Sequence, residues 1–303
     1  MNTMRNLAKR RPIAVSIGIM LMATILMQLV GIVISLIIPY DGSYFLNMVI
    51  ELFVVGIALM FAAIFSKLDM LYTKRLGFFK SMVPCMYLLI AFLLNLLLSL
   101  TDISGAQLRH PVYIVIFCIT MILIGCAEEF LYRGVITGII LDKYGKDGAG
   151  IWFTAIISGI IFGLAHLSNA LSGISFSAVM IQVVMVTFVG MVFSAIYIRT
   201  KNIWIMVFLH ALNDFVALFE TGFFNQGNIA SEVNSYSVVM YGGMITYGII
   251  LAVLLRKSKL YEMLGKSGIE SSEKSERRLY KTICFASCAV IACMAYGVIE
   301  LFI

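Results

Sequence analysis

Charged residues are scarce in this sequence: aspartate, glutamate, lysine and arginine together make up 13% of its 303 positions. Soluble domains usually carry about 25% charged residues, and apolar residues here reach 61%. The apolar residues come in runs of about 18 or more, long enough to cross roughly 30 Å of hydrocarbon as helix. Lipid offers the backbone no hydrogen-bond partner, so such runs are expected to be helices. The composition therefore excludes an ordinary soluble domain and predicts an all-α membrane protein.

Cysteine pairs with metal-site spacing are also absent. None of the six cysteines forms a CxxC pair, and all six fall inside apolar runs, so we interpret them as packing residues. The net charge of +6 does not indicate nucleic acid, because the basic residues lie in short loops, where they set membrane orientation. The expected partners therefore include the lipid bilayer and no nucleic acid.

Nine apolar stretches predict a polytopic bundle of about nine transmembrane helices. They cover residues 13–38, 44–66, 82–100, 111–140, 149–168, 174–198, 203–219, 237–255 and 282–302. We interpret the first as a retained span, because it is too long for a signal peptide and no small-residue cleavage pattern follows it. With a cytoplasmic N-terminus, the inside segments hold 20 of the 22 lysines and arginines. This asymmetry follows the positive-inside rule and places the C-terminus outside.

The chain is interpreted as a single integral membrane domain over residues 1–303. No internal repeat and no second soluble domain stands out. The longest polar stretch, 256–281, predicts a cytoplasmic linker before the last span. The modest length favours a bacterial plasma membrane.

Few ionisable side chains lie inside the predicted spans, and most of them cluster. Such groups are costly in lipid, so they are functional candidates by default. On the fourth, fifth and seventh spans they are Glu128, Glu129, Arg133, His166, His210 and Asp214. Glu51, in the second span, lies apart from this set in the sequence. It is either a structural hydrogen-bonding group or part of the lining of a substrate cavity.

Helix geometry pairs some of these residues. Glu129 and Arg133 are four positions apart, so they share a helix face and can neutralise each other. Glu128 is rotated by about 100° from Glu129 and needs a partner on another helix. His210 and Asp214 are also four apart and share a face.

Glycines predict where the fourth and fifth spans meet. The pairs Gly134/Gly138 and Gly159/Gly163 have the small-xxx-small spacing that lets membrane helices approach closely. We expect them to bring His166 towards Glu128. The prediction is that Glu128, His166 and His210 lie within about 8 Å of a common point, close enough to share a water.

A glutamate and two histidines in a membrane suit hydrolysis. The carboxylate can act as a general base on water, and the imidazoles can orient that water or donate to an oxyanion. The same side chains could instead hold a divalent metal such as zinc, which would acidify a bound water.

Three motifs carry a resemblance to a known family. They are EEFLYR beginning at Glu128, FGLAH ending at His166 and HALND beginning at His210. In this order they resemble the EExxxR, FxxxH and HxxxN or HxxxD motifs of the CAAX protease and bacteriocin-processing family of intramembrane proteases, also called the ABI or CPBP family. The resemblance covers residues 111–220, which it implies are the catalytic helix core.

The resemblance also implies a role for each matching residue. Glu128 looks like the catalytic glutamate that activates water. Glu129 would pair with Arg133 and hold the helix in shape. His166 would help to position the water or a metal.

The HALND motif is implied to stabilise the oxyanion through His210 and the residue at position 214. Asp214 cannot donate a hydrogen bond unless it is protonated. It could orient His210, bind a metal, or leave the donor role to the neighbouring Asn213.

The family implies an intramembrane endopeptidase that cleaves a peptide or a membrane-anchored protein substrate. The alternative is a non-catalytic member of the same fold that binds a membrane partner, such as a sensor kinase or a bacteriocin target. A transporter is disfavoured, because the sequence shows no duplicated pair of broken helices.

Overall fold

The computed structural model describes residues 2–101, 103, 105–224, 229–265 and 270–300. This part of the chain is helical without named strands, and it includes one isolated bridge between Leu108 and Phe224. The α-helices are, in order, α1 (Asn2–Arg10), α2 (Pro12–Ile37), α3 (Phe45–Ile64), α4 (Phe78–Met82), α5 (Met86–Ser99), α6 (Pro111–Glu129), α7 (Gly138–Tyr144), α8 (Gly148–Ala165), α9 (Phe176–Thr200), α10 (Ile203–Ala217), α11 (Phe219–Phe223), α12 (Ile229–Asn234), α13 (Gly242–Leu254), α14 (Lys257–Leu264) and α15 (Glu273–Glu300). The predicted all-α class is confirmed.

Membrane-length helices are fewer than the sequence predicted. Within the described residues, seven are long and apolar enough to cross a membrane, and an eighth exists if the bent pair Val239–Leu254 and Lys257–Leu264 is one span. The seventh predicted span, 203–219, corresponds to α10, which has 15 residues. At 1.5 Å per residue α10 is about 22 Å long, which is shorter than the roughly 30 Å hydrocarbon core. An apolar run in the sequence does not show where its helix ends.

The predicted linker 256–281 contains more helix than expected. Helix α14 follows α13 with a bend of 48°, and α15 already begins at Glu273. Residues 266–269 of the linker, and residues 301 and 302 of the predicted last span, lie outside the described residues.

The chain forms two compact units. Unit 1 comprises Met1–Leu21, Val135–Arg199 and Val233–Ile303, and unit 2 comprises Met22–Gly134 and Thr200–Glu232. Unit 2 therefore contains α3, α6 and α10, whereas unit 1 contains α8, α9 and α15. A π-helical segment, Phe130–Thr137, continues the chain from α6 to α7.

Helix α6 is the centre of unit 2, where it packs against both α3 and α10. The apolar core between them includes Tyr44, Phe117, Met121 and Ala211. Asn202 fixes the start of α10: its side-chain oxygen accepts a hydrogen bond from the Trp204 backbone at 3.1 Å, and its Nδ2 donates to the Leu76 carbonyl at 3.1 Å. These contacts hold the helix that carries His210.

Helix α8 of unit 1 begins at a side-chain cap and packs closely against α9. The Asp147 carboxylate accepts a hydrogen bond from the Gly150 amide at 2.7 Å. A Cβ atom on Gly159 would lie 2.6 Å from the Met191 nitrogen, and one on Gly163 would lie 2.7 Å from the Val183 carbonyl oxygen. Cβ contacts that short essentially never occur, so only glycine permits this approach.

The glycines of the fifth predicted span make their closest approach to α9. Gly159 and Gly163 face that helix, and α8 also packs against α7, which begins within the fourth predicted span. Gly134, on the fourth predicted span, makes room for the Met70 side chain of its own unit. Small-xxx-small spacing identifies a face that a neighbour can approach, but it does not identify the neighbour.

Candidate active site

A buried ion pair forms the base of the site in unit 2. The Arg133 Nη1 atom lies 2.9 Å from Glu129 Oε1, and the two side chains are 1% and 0% exposed. The spacing of four residues brings them together, as the sequence predicted. Glu129 is the last residue of α6, and the π-helical segment begins at the next position. Segments of π-helix often occur at functional sites.

Glu129 also contacts a second helix, which the sequence analysis missed. Its Oε1 atom accepts a hydrogen bond from His210 Nδ1 at 2.6 Å. A histidine held in this way has its ring orientation fixed by the carboxylate. Glu129 thus joins Arg133 on its own helical stretch to His210 on α10. No local pattern signals this contact, because the two residues are 81 positions apart.

The other ring nitrogen of His210 faces two carboxylates. His210 Nε2 lies 3.5 Å from Glu128 Oε2 and 3.5 Å from Asp214 Oδ2. The Glu128 side chain is 31% exposed and that of Asp214 is 20% exposed. Exposure therefore increases from the buried Glu129 across the ring to Glu128, so that small molecules can reach the Glu128 side.

Asn213 supports Asp214. Its Nδ2 atom donates a hydrogen bond to Asp214 Oδ1 at 3.2 Å. One N–H of the Asn213 amide is therefore used in this hydrogen bond. The other carboxylate oxygen, Asp214 Oδ2, faces His210. This contact supports the alternative in which Asp214 orients His210.

A close approach of α6 and α10 sets these distances. A Cβ atom on Gly125 would lie 2.8 Å from the Val207 carbonyl oxygen and 3.2 Å from the Ala211 nitrogen. Gly125 is one turn before Glu128 and Glu129, and Ala211 directly follows His210. The absence of a side chain at position 125 therefore lets the two helices hold the carboxylates beside the imidazole.

His166 lies in unit 1, at the C-terminal end of α8. Its ring is partly buried, lies 5.2 Å from the Phe162 ring, and makes a 3.1 Å hydrogen bond to the Phe162 carbonyl. Glu128, His210 and Asp214 belong to unit 2. The convergence of His166 with them stays a prediction.

Glu51 is a further acidic residue near this site. It lies on α3, is partly buried, and interacts electrostatically with Glu128, Asp214 and His210. The sequence identified Glu51 as an ionisable residue inside a span, but its distance along the chain gave no reason to group it with the motifs.

The described residues contain no preformed set of metal ligands. Within the described residues, no group of three or more histidine, cysteine, aspartate or glutamate side chains is arranged to hold a metal ion. A divalent metal such as zinc stays a prediction.

Comparison with known proteins agrees with the three motifs. Residues 110–216 match the family model of the Rce1-like type II CAAX prenyl endopeptidases. This stretch is about a third of the chain and contains Glu128, His166 and His210. The resemblance predicted from the motifs is confirmed.

A relative in Bacillus subtilis (strain 168), named "Putative membrane peptidase YdiL", is 30% identical over 94 residues. The aligned stretch is 31% of this chain and 32% of the relative, so the match spans about a third of that protein's length. No solved structure matches the chain. Together with the apolar helices, these matches support a CAAX-type intramembrane protease fold in an integral membrane protein.

Proposed function

We propose that this protein is an intramembrane endopeptidase, and that Glu128 activates the water that hydrolyses the peptide bond. The substrate is a peptide or a membrane-anchored protein, reached from the lipid bilayer. The observation that carries the proposal is the position of His210, with one ring nitrogen bonded to the buried Glu129 and the other directed at Glu128.

Glu128 has the position that a general base requires. Its side chain is about a third exposed, so water can reach it, while its Oε2 atom is buried without a hydrogen-bond partner among the described residues. In the proposed step Glu128 takes a proton from water, and the water oxygen attacks the substrate carbonyl carbon. A positioned base of this kind contributes about 10²–10⁴-fold to the rate.

His210 faces the charge that develops on the substrate oxygen. Glu129 orients the ring through Nδ1, so Nε2 can donate to the oxyanion when it carries a hydrogen. Asp214 supports the ring from the same helix face, and Asn213 steadies Asp214. His166 is assigned, through the family resemblance alone, to positioning the water.

A metal is not part of these steps. If zinc binds, it would supply a more acidic water at the same place. We also propose a bacterial plasma membrane as the location, in keeping with the B. subtilis relative.

The experiment uses purified full-length protein in proteoliposomes and a quenched fluorescent peptide ending in a CAAX sequence, with and without a farnesyl group. We expect the wild type to cleave at least one of the two peptides. Glu128→Gln should lower kcat by at least about 100-fold, because it removes the base and keeps the shape. Glu276→Gln is the control, because Glu276 is exposed on α15 in the other unit.

Two further outcomes separate the alternatives. If wild type and Glu128→Gln bind the peptides equally and neither cleaves, the protein is a binding member of the fold and the proposal is wrong. If a zinc chelator abolishes wild-type cleavage and added zinc restores it, the attacking water is bound to a metal and is not free.

A further inference from the structure

Glu51 faces α6 from the neighbouring helix α3. Tyr44, immediately before α3, packs its ring 4.9 Å from that of Phe117, and its carbonyl accepts a hydrogen bond from Thr120 at 3.4 Å. Glu51 follows Tyr44 by seven positions and precedes the buried Ala58 by seven. Seven residues are about two helical turns, so the three residues share one face. Glu51 therefore lies on the face that packs against α6.

The level of Glu51 along α6 follows from two contacts. Near the start of α3, Tyr44 is beside Phe117 and Thr120. Beyond the end of α3, the Met70 side chain occupies the space beside Gly134. The two helices thus run in the same direction. At 1.5 Å per residue, Glu51 lies about 10 Å beyond Tyr44, which is the level of residues 124–127 on α6 and within one turn of Glu128.

The surroundings of Glu51 contain the other groups of the candidate site. It interacts electrostatically with Glu128 from α6 and with Asp214 and His210 from α10. The short turn Leu68–Leu71 also packs against α3, but its Asp69 is exposed. Glu51 makes no hydrogen bond with the residues that the structure describes. It is therefore not a structural hydrogen-bonding group within this part of the chain.

The charges at this site do not balance if every carboxyl group is ionised. Glu51, Glu128, Glu129 and Asp214 face at most two positive charges, that of Arg133 and, when its ring is protonated, that of His210. Like charges this close, among apolar helices, disfavour each other's ionisation. The cluster therefore retains at least one proton. Glu51 is the group suited to hold it, because among the described residues it has neither a hydrogen bond nor the contact with His210 Nε2 that Glu128 and Asp214 make.

We propose that Glu51 is a catalytic acid of this site, which holds a proton and donates it to the leaving amine. This inference rests on the proposed function. Glu128 takes one proton from the attacking water while the new C–O bond forms. The C–N bond then breaks, the amine takes the proton of Glu51, and the proton on Glu128 returns to the Glu51 carboxylate. The net change is one peptide bond and one water converted into an acid and an amine.

The first test compares Glu51→Gln and Glu51→Asp with wild type in the same proteoliposomes. Glutamine keeps the shape and cannot give up a proton, so kcat on the peptide should fall about 100-fold or more with little change in KM. Aspartate keeps an acid on a shorter stem and should recover part of kcat. The fall of kcat at alkaline pH, which reports the acid, should disappear in Glu51→Gln. The rise of kcat from acidic pH should remain.

A substrate whose leaving group needs no proton provides the sharper test. A p-nitrophenyl ester of the same peptide acid should be cleaved by Glu51→Gln at nearly the wild-type rate, but not by Glu128→Gln. Equal wild-type and Glu51→Gln rates on the peptide amide overturn the inference and leave the proposed function intact. A wild type that cleaves neither substrate overturns both. If Glu51→Gln does not fold, Glu51→Asp provides the test. A ratio of ester to amide cleavage rates equal to that of wild type would then contradict the proposed role of Glu51.

Discussion

Glu129 serves two partners with a single oxygen atom. Its Oε1 lies 2.9 Å from Arg133 Nη1 in an ion pair and accepts a hydrogen bond from His210 Nδ1 at 2.6 Å, and the glutamate and arginine are fully buried. Glu128, the next residue towards the N-terminus, is about a third exposed. Two adjacent glutamates therefore have different surroundings, and the same substitution should affect them differently.

Replacing Glu129 should lower stability more than replacing Glu128. Glu129→Gln removes the anion beside the buried Arg133, and leaving one partner of a buried pair alone costs about 3–5 kcal/mol. Glu128→Gln removes a charge from a partly exposed position and should leave the unfolding temperature close to that of wild type. Thermal unfolding of the two variants in the same detergent measures the difference. The opposite order would contradict the assignment of Glu129 as the structural partner of Arg133.

The sequence predicted only one of the two contacts of Glu129. Arg133 is four residues away, so helix geometry alone pairs it with Glu129. His210 is on another helix, and its contact depends on how α6 and α10 pack. Glu51 is a similar case, because its place beside Glu128 results from the register of α3 against α6.

Helix α6 meets α10 at Gly125. This glycine has no partner at small-xxx-small spacing, since Met121 and Glu129 stand four positions before and after it. The spacing rule therefore missed the close contact that positions the site. The π-helical segment after Glu129 is likewise not visible in the sequence, because no residue pattern in Phe130–Thr137 distinguishes it from an α-helix.

Substitution of Gly125 should separate the two helices. The Cβ of Gly125→Ala would lie 2.8 Å from the Val207 carbonyl oxygen, so the backbone of α6 or α10 has to shift. Such overpacking costs about 1–3 kcal/mol, and the displacement of His210 from Glu128 should lower kcat. Gly56→Ala on α3 is the matched control, because nothing lies within 4 Å of its added Cβ. Equal unfolding temperatures and rates for both variants would contradict the role of Gly125.

The part of the chain that the structure describes has fewer membrane-length helices than its apolar runs suggest. The boundaries of most predicted spans agree with the helices to within a few residues, as for 13–38 against Pro12–Ile37. The difference is in the short α10 and in the bent pair that follows it. Hydropathy reports where apolar residues are, whereas caps such as Asn202 decide where a helix starts.

The predicted membrane topology rests on the distribution of lysine and arginine residues between the predicted loops. Because the predicted inside segments hold 20 of the 22 basic residues, a reporter fused after Lys257 should be cytoplasmic. One fused after Asn225, which lies outside the described residues, should be external. Alkaline phosphatase and green fluorescent protein fusions, active on opposite sides of a bacterial membrane, measure the two positions. An external reporter at Lys257 would change the number of crossings before it by one.

The hydrogen bond between His166 and Phe162 fixes which ring nitrogen carries the hydrogen. A carbonyl oxygen only accepts, so Nδ1 donates across 3.1 Å, and in the neutral ring Nε2 is left with a lone pair. A molecule that meets Nε2 of the neutral ring must therefore offer a hydrogen or a positive charge, as water, an amide N–H or a metal cation does. A bare carbonyl oxygen is repelled there. The backbone carbonyl of Phe162, one helical turn before His166, thus decides that Nδ1 is the donor and Nε2 the acceptor of the neutral ring.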